Sequence, residues 1–478
     1  MTGTNRLSIV VLTVFFVAAL SLVQAPPMGI IGAGYHYARS KGKMDSEFAD
    51  IPCGSNCDVE CEIRGKMVAL QQTLVPPPDD DKAAELVRTF FDSYRNLCHS
   101  SPGVKDIYTP DIALPALFDF LVSAKYAERM VSDGGWTYCA GSDLDEGPAL
   151  YFPFLKTCPR CSVKRGIRPS AKANKPASDP IGQMTSDATI LILAELIGWI
   201  SPDVRVGKSL DRRGDVDLVV FDQEVVVLGE IKSSPLVVYP LEIRLARPMT
   251  EVRDGVSVLK RDHSPATADI GARELSLYIP HKDLRIPLGR SSEDNWPYPA
   301  LIRFLNEPQN VSLFVAAWKE LYDVYAAVRG GRGRRRGDID DRKWLTCGCG
   351  SKVDDSKNAP GLDRTDDIKK GTYQVLKFGT YYKEKCPRRV LRTALVSNFL
   401  PLHGFDRYLS EIQDVIWTKE KYSVALNGDA MLGDVVAFQS DGVFNLYDAL
   451  LCLTRSIYRD EHLREISSLD RFVEVFCL

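Results

Sequence analysis

One stretch limits what this chain can fold into more than any other. From Asp211 to Pro235 it reads Asp-Arg-Arg-Gly-Asp-Val-Asp-Leu-Val-Val-Phe-Asp-Gln-Glu-Val-Val-Val-Leu-Gly-Glu-Ile-Lys-Ser-Ser-Pro. Two β-branched runs, Val216–Phe221 and Val225–Ile231, flank a polar break at Asp222–Gln223, which predicts an antiparallel hairpin. Side chains alternate along a strand, so Asp215 and Asp217 share one face of the first run, and Glu230 and Lys232 share one face of the second. The runs are otherwise apolar enough to be buried. Carboxylates there are costly unless they pair or bind a cation.

Two carboxylates and a lysine suit metal-dependent phosphodiester hydrolysis. Carboxylate oxygens hold a hard ion such as Mg²⁺. The ion neutralises phosphate charge and lowers the pKa of water, and the lysine steadies the attacking oxygen. The pattern resembles the PD-(D/E)XK nuclease superfamily, with Asp217 as the acidic position, Asp215 as its alternate, and Glu230-Ile231-Lys232 as the second half. The resemblance implies that the Ile231 backbone carbonyl also binds the metal. Val216 departs from it, standing where a proline commonly precedes the aspartate. The other reading of these residues is an exposed hairpin carrying a salt bridge.

The flanking order supports the resemblance. Thr185–Ile200 predicts a buried helix capped at Thr185, Ser186 or Asp187, with Glu195 alone among apolar residues. The resemblance implies a further acid near the metals from this helix; a glutamate reaching to solvent is the alternative. A short strand over Asp203–Lys208 precedes the hairpin. Much later, Thr365 opens a helix ended by Gly379, with Lys369, Lys370 and Gln374 on one side. Val390–Ser397 then reads as a strand. The expected fold is α/β: a restriction-endonuclease-like αβββαβ core with a mixed sheet, a large insertion, a helical N-terminal subdomain and a zinc knuckle.

Cysteine and charge are local signals. Cys158-Pro-Arg-Cys161 is a knuckle of the zinc-wrapping type, and Cys139 begins a second one that Ser142 leaves incomplete. Cys98, His99, Cys347 and Cys349 are candidates for the fourth ligand; a turn with unliganded thiols is the alternative. No acid occurs from Gly147 to Ser178, where Arg160, Lys164, Arg165 and Arg168 stand, so this stretch reads as a phosphate-contacting surface. Arg329-Gly-Gly-Arg-Gly-Arg-Arg-Arg336 reads as a cationic loop, with Arg332, Arg334, Arg335 and Arg336 reaching DNA phosphates or a groove. Lys369 and Lys370 are further DNA-contact candidates. A solvated basic loop or face is the alternative in each case.

The net charge of −3 decides nothing about nucleic acid, since a DNA surface need only be local. Twelve cysteines among 478 residues are too few for a disulfide scaffold. No Gly-x-x-x-x-Gly-Lys-Ser/Thr loop occurs, which excludes ATP-driven translocation by that motif. Residues 1–27 carry a signal-like apolar run from Leu7 to Val23. It is read as an extension ahead of a true start at Met28 or Met44, with a cytoplasmic location. The alternative is an exported or membrane-anchored protein. The expected parts are a helical region over 28–138, a cysteine and basic segment over 139–180, core halves over 181–235 and 361–400, a target-recognition insertion over 236–360, and a helical region over 401–478.

The function expected is sequence-specific, Mg²⁺-dependent cleavage of double-stranded DNA. The resemblance to type II restriction endonucleases further implies 5′-phosphate ends, a homodimer and a separately encoded methyltransferase. The alternatives are a structure- or modification-dependent nuclease and a non-catalytic zinc DNA-binding protein.

Overall fold

The computed structural model describes residues 81–329 and 359–410, apart from short connecting stretches such as 165–173 and 210–215, and beyond them 416–418, 443–445, 449–453 and 457–458. Residues 1–80, the arginine-rich loop, Asp215, Arg165, Arg168, Cys347 and Cys349 lie outside the described residues.

In chain order the elements are α1 (Asp81–Ser100), α2 (Pro110–Met130), β1 (Trp136–Cys139), β2 (Ala149–Phe152), α3 (Pro159–Lys164), α4 (Ser178–Ile200), β3 (Arg205–Lys208), β4 (Leu218–Phe221), β5 (Val226–Ile231), β6 (Leu241–Arg244), β7 (Thr250–Arg253), β8 (Val256–Leu259), β9 (Pro265–Ala266), β10 (Glu274–Ile279), β11 (Leu284–Arg290), α5 (Tyr298–Leu305), α6 (Pro308–Arg329), α7 (Thr365–Lys383), β12 (Leu391–Ser397), β13 (Ile416–Thr418), β14 (Val443–Asn445), β15 (Ala449–Cys452) and β16 (Ile457–Tyr458). Two six-stranded sheets organise them, in the orders β16-β15-β12-β5-β4-β3 and β11-β10-β6-β2-β1-β9.

The first sheet is mixed. β3, β4 and β5 form an antiparallel meander, and β12 and then β15 add in parallel. The order α4–β3–β4–β5–α7–β12 is the helix–strand–strand–strand–helix–strand order expected from the sequence. Both faces are covered, as parallel pairing favours. Leu218, Val220, Val227, Ile231 and Val396 join the core that contains α4. Val219, Val226, Leu228, Leu391 and Leu395 pack instead with Ile368, Val375 and Phe378 of α7. Period-two alternation therefore divides each strand between two helical layers.

The second sheet is antiparallel throughout and joins segments far apart in sequence. β1 and β2 precede the first sheet in the chain, whereas β6, β10 and β11 fall between its strands β5 and β12. The 236–360 segment thus completes a sheet begun before the core. Nor do α1 and α2 stand apart: α1 packs on α4, α5 and α6, and α2 on α4 and α6.

Several local expectations are corrected. α4 starts at Ser178, a full turn and more before the expected cap, and the Thr185 hydroxyl donates back to the Ile181 carbonyl at 2.9 Å. α7 runs through Gly379 to Lys383, because a glycine inside a helix costs only about 1 kcal/mol. The helices expected over Phe405–Trp417 and Asn445–Arg459 are absent as such. A single π-helical turn occupies Phe405–Leu409, β13 begins at Ile416, and Ala449–Cys452 is a strand beside β12. A four-residue apolar run fits either helix or strand periodicity, and an open edge of β12 selects the strand.

The segment after β5 is pinned from two sides. Ser397 donates its hydroxyl to the Lys232 carbonyl at 2.7 Å, and the Asn398 amide brackets Ser234 at 2.7 and 3.0 Å. Asp119 of α2, fully buried, accepts the Leu236 and Val237 amides at 3.2 and 3.0 Å and the Trp318 indole at 2.8 Å. Burial pushes its carboxyl up to about 8 against the lowering effect of these donors. Asp119→Ala is expected to destabilise the fold by roughly 3 kcal/mol or more, since each buried donor left unpaired costs about 1–3 kcal/mol. Urea unfolding of the variant beside the parent checks this.

Candidate active site at the end of the hairpin

The β4–β5 ladder pairs Leu218 with Gly229, and the Asp217 amide donates to the Gly229 carbonyl at 3.0 Å. This register brings Asp217 to Glu230. Strand alternation turns Asp217, Glu230 and Lys232 toward α7, on the side of Val219 and Leu228. The Asp217 carboxylate accepts the Ile231 amide at 2.8 Å, which fixes its orientation. Lys232 forms an ion pair with Glu230 and also reaches the Ile231 carbonyl at 3.3 Å. Its own amide continues the parallel ladder to the Val396 carbonyl at 2.8 Å.

Glu230 is buried, and its Oε2 has no hydrogen-bond partner. Burial pushes its carboxyl up to about 8; the Asp217 charge pushes the same way and Lys232 opposes. A second carboxylate close by with an unsatisfied buried oxygen is an arrangement that a cation would relieve.

α7 closes the site. Gly371 sits so close that a Cβ there would meet Leu395 Cδ1 at 2.6 Å and Lys232 Cγ at 3.1 Å, so glycine lets the helix approach Lys232. One turn earlier is Asp367, an acid that sequence reasoning took only as first-turn charge. Burial raises its carboxyl, while Arg364, Lys232 and Lys370 draw it down, and it pairs with Arg364 at 3.0 Å. Nothing local separates such an acid from an ordinary complement to the helix dipole. Gln374, one turn further on, has a buried Oε1 without a hydrogen-bond partner. Lys369 and Lys370 are exposed, as expected, with Lys369 Nζ 5.4 Å from the Tyr408 ring centroid.

Glu195 does not join this group. It lies on α4, which covers the opposite face of the sheet, and it pairs with Arg88 of α1 at 2.9 Å. The acid that the resemblance implies near the metals is therefore not Glu195, whose partner lies 107 residues away in the chain. The part of α4 that does come near the site's strand is Thr189, whose hydroxyl donates to the Ser233 hydroxyl at 2.8 Å.

The cysteines converge elsewhere. Cys139 ends β1, and Cys158 and Cys161 flank the start of α3; their sulfurs all lie within 4.8 Å of one another, and each is buried. Among the described residues this is the only group of three or more potential metal-ligating side chains, and neither Cys98 nor His99 belongs to it. Of the basic residues expected to form a surface around it, Arg165 and Arg168 lie outside the described residues. Arg160 is fully buried, and Lys164 pairs with Asp283 at 3.2 Å. No helix among the described residues is long and apolar enough to cross a membrane, and the run from Leu7 to Val23 lies outside them.

The raised Glu230 carboxyl gives a pH test in metal-free protein. Because the folded state favours the protonated form, this group's contribution is fully present below its unfolded value near 4.5 and is lost as pH rises through about 8. Glu230→Gln is expected to remove that loss. The variant should gain on the parent between pH 5 and 9 by on the order of a few kcal/mol, at about 1.4 kcal/mol per tenfold change in proton affinity. Melting curves across that range in chelator decide it.

No family model matches the chain, and no match was found among curated proteins or solved structures.

Proposed function

We propose that the chain is a Mg²⁺-dependent DNA endonuclease of the PD-(D/E)XK type, most like type II restriction endonucleases. One observation carries the reading: Asp217, Glu230 and Lys232 meet on one face at the end of the β4–β5 hairpin, with a Glu230 oxygen buried and unsatisfied. The α4–β3–β4–β5–α7–β12 order and the parallel β5–β12 pair are consistent with it.

The residues present fit a hard divalent ion. Asp217 and Glu230 offer carboxylate oxygens, and the Ile231 carbonyl lies beside them, within reach of Lys232. When bound, the ion supplies charge neutralisation at the phosphate and acidification of water. The chain's own residues do the rest. Burial by α7 excludes bulk water and strengthens the charges within. The Ile231 amide holds Asp217 in place. Lys232, released from Glu230 once that carboxylate has another partner, donates a hydrogen bond to the attacking water oxygen. Attack would form a new oxygen–phosphorus bond and break the bond to O3′; the attacking water gives its proton to solvent, and a solvent proton completes the 3′-hydroxyl, leaving a 5′-phosphate. Lys369 and Lys370, exposed on α7, would be the cations that contact the DNA backbone. A homodimer, a partner methyltransferase and sequence-specific recognition extend the same resemblance.

Asp217→Ala and Lys232→Ala are each expected to lower cleavage at least about 100-fold while changing DNA affinity only slightly. Plasmid and genomic DNA incubated with the full chain, in Mg²⁺ or in EDTA, check this beside a gel shift. Discrete Mg²⁺-dependent fragments support a site-specific enzyme. Cleavage confined to branched or methylated DNA moves the assignment to a structure- or modification-dependent nuclease. Parental cleavage rates in either variant would overturn the residue roles, and binding without any cleavage would leave a DNA-binding protein.

A further inference from the structure

The cysteine cluster lies in the second sheet and has no part in the carboxylate site. Cys158 stands immediately before α3, Pro159 takes the first helical position, and Cys161 follows within the first turn. That spacing puts two sulfurs on one side of a tight turn, held by the Ser162 amide on the Cys158 carbonyl at 3.1 Å. Cys139 arrives from the end of β1, whose partner β2 opposes it through Ala149. None of the three forms a disulfide.

Their spacing identifies a mononuclear tetrahedral centre. A zinc–sulfur bond of about 2.3 Å at tetrahedral angles requires sulfurs about 3.8 Å apart. Cys139 Sγ and Cys161 Sγ are 3.8 Å apart, and the third sulfur lies within 4.8 Å of both. A disulfide would need about 2.05 Å.

The surrounding charges select the same ligand. Packed with the sulfurs are Tyr151 and Tyr278. The Tyr151 hydroxyl donates to Glu242 at 2.9 Å, and Glu242 also faces Arg285 at 2.6 Å and Arg160 at 3.6 Å. The Arg160 and Glu242 side chains are wholly buried, and Arg285 is largely so. Arg285 also pairs with Asp283 at 2.8 Å, and Asp283 with Lys164 at 3.2 Å, so three cations against two carboxylates leave this set one positive charge in excess. Arg160 lies in the sequence between Cys158 and Cys161 and feels both Cys139 and Glu242. Three thiolates on a divalent ion with one water carry a net charge of −1, which balances that excess; four thiolates would not. Buried charge is tolerated where it is compensated in this way.

We propose that Cys139, Cys158 and Cys161 bind one structural Zn²⁺, with water as the fourth ligand and with the Arg160–Glu242–Arg285 set as its charge complement. Binding releases three thiol protons to solvent and involves no oxidation. The ion ties the end of β1 to α3. It thereby closes the segment from Cys139 to Cys158 and holds Arg160 over Glu242. Site and proposal are independent of the nuclease reading.

The test uses the full chain, purified without chelator and analysed for metals. About one zinc per chain is expected, kept in Asp217→Ala and lost in both Cys139→Ser and Cys161→Ser, with a lower melting temperature. Since a serine variant can fail to fold, the parent protein is also stripped of metal and titrated with Co²⁺. A thiolate-to-cobalt charge-transfer band saturating near one equivalent, with the intense visible bands of a tetrahedral centre, supports the site. Absence of both zinc and the cobalt band overturns it, as does a disulfide among these cysteines by mass spectrometry. Zinc retained when Cys139 and Cys161 are both replaced would place the ion elsewhere and equally overturn it.

Discussion

The parallel pairing of β12 with β5 is the constraint on which the rest of the first layer depends. It joins Leu391–Val396 to Val226–Ile231 across about 165 residues of chain, and it converts a three-stranded meander into one half of a six-stranded sheet. With β12 in place, β5 is flanked on both edges and needs cover on both faces. α4 and α7 provide it. Burial of Glu230 follows directly, and so does its raised proton affinity. A two-stranded ribbon alone would leave the same carboxylate in water at an ordinary value.

Rigidity at the site comes from groups that perform no chemistry. Asn398 and Ser397, at the end of β12, hold Ser234 and the Lys232 carbonyl. Asp119 and Trp318 hold the next few residues from the other side. Because these contacts are buried and satisfied, the lysine backbone has one position, which is what a charged site needs if its side chains are to converge. The second sheet uses the same principle around Glu242, where strands from before and after the core meet on a buried charge cluster. The two sheets thus interleave in sequence, and the segment between β5 and α7 is part of the framework rather than an appendage to it.

Hairpin, helices and strands with strong local patterns were legible in the sequence. The β-branched runs predicted β4 and β5, the sequence patterns predicted helices at α4 and α7, and α1 and α2 fall in the region expected to be helical. Asp217, Glu230 and Lys232 were legible together because strand periodicity alone puts them on a shared face once the hairpin register is set. Glu195 was not legible, since its partner Arg88 and the sheet face it occupies are matters of packing. Nor was Asp367, whose nearness to Lys232 depends on how closely Gly371 lets α7 approach.

The sequence by itself determined the elements and the chemistry they carry: two carboxylates and a lysine on a hairpin, and three cysteines in two segments. Local dihedral preferences and side-chain periodicity act within a few residues, so a single sequence records them. Only the tertiary structure decided which basic residues are buried, which acid faces which sheet layer, and that Ala449–Cys452 extends the sheet instead of forming a helix. Those outcomes depend on partners far away in the chain, 55 residues for Ala449 and Ala394 and 107 for Glu195 and Arg88. The free energy of satisfying a buried charge or an open strand edge overrides local preference there.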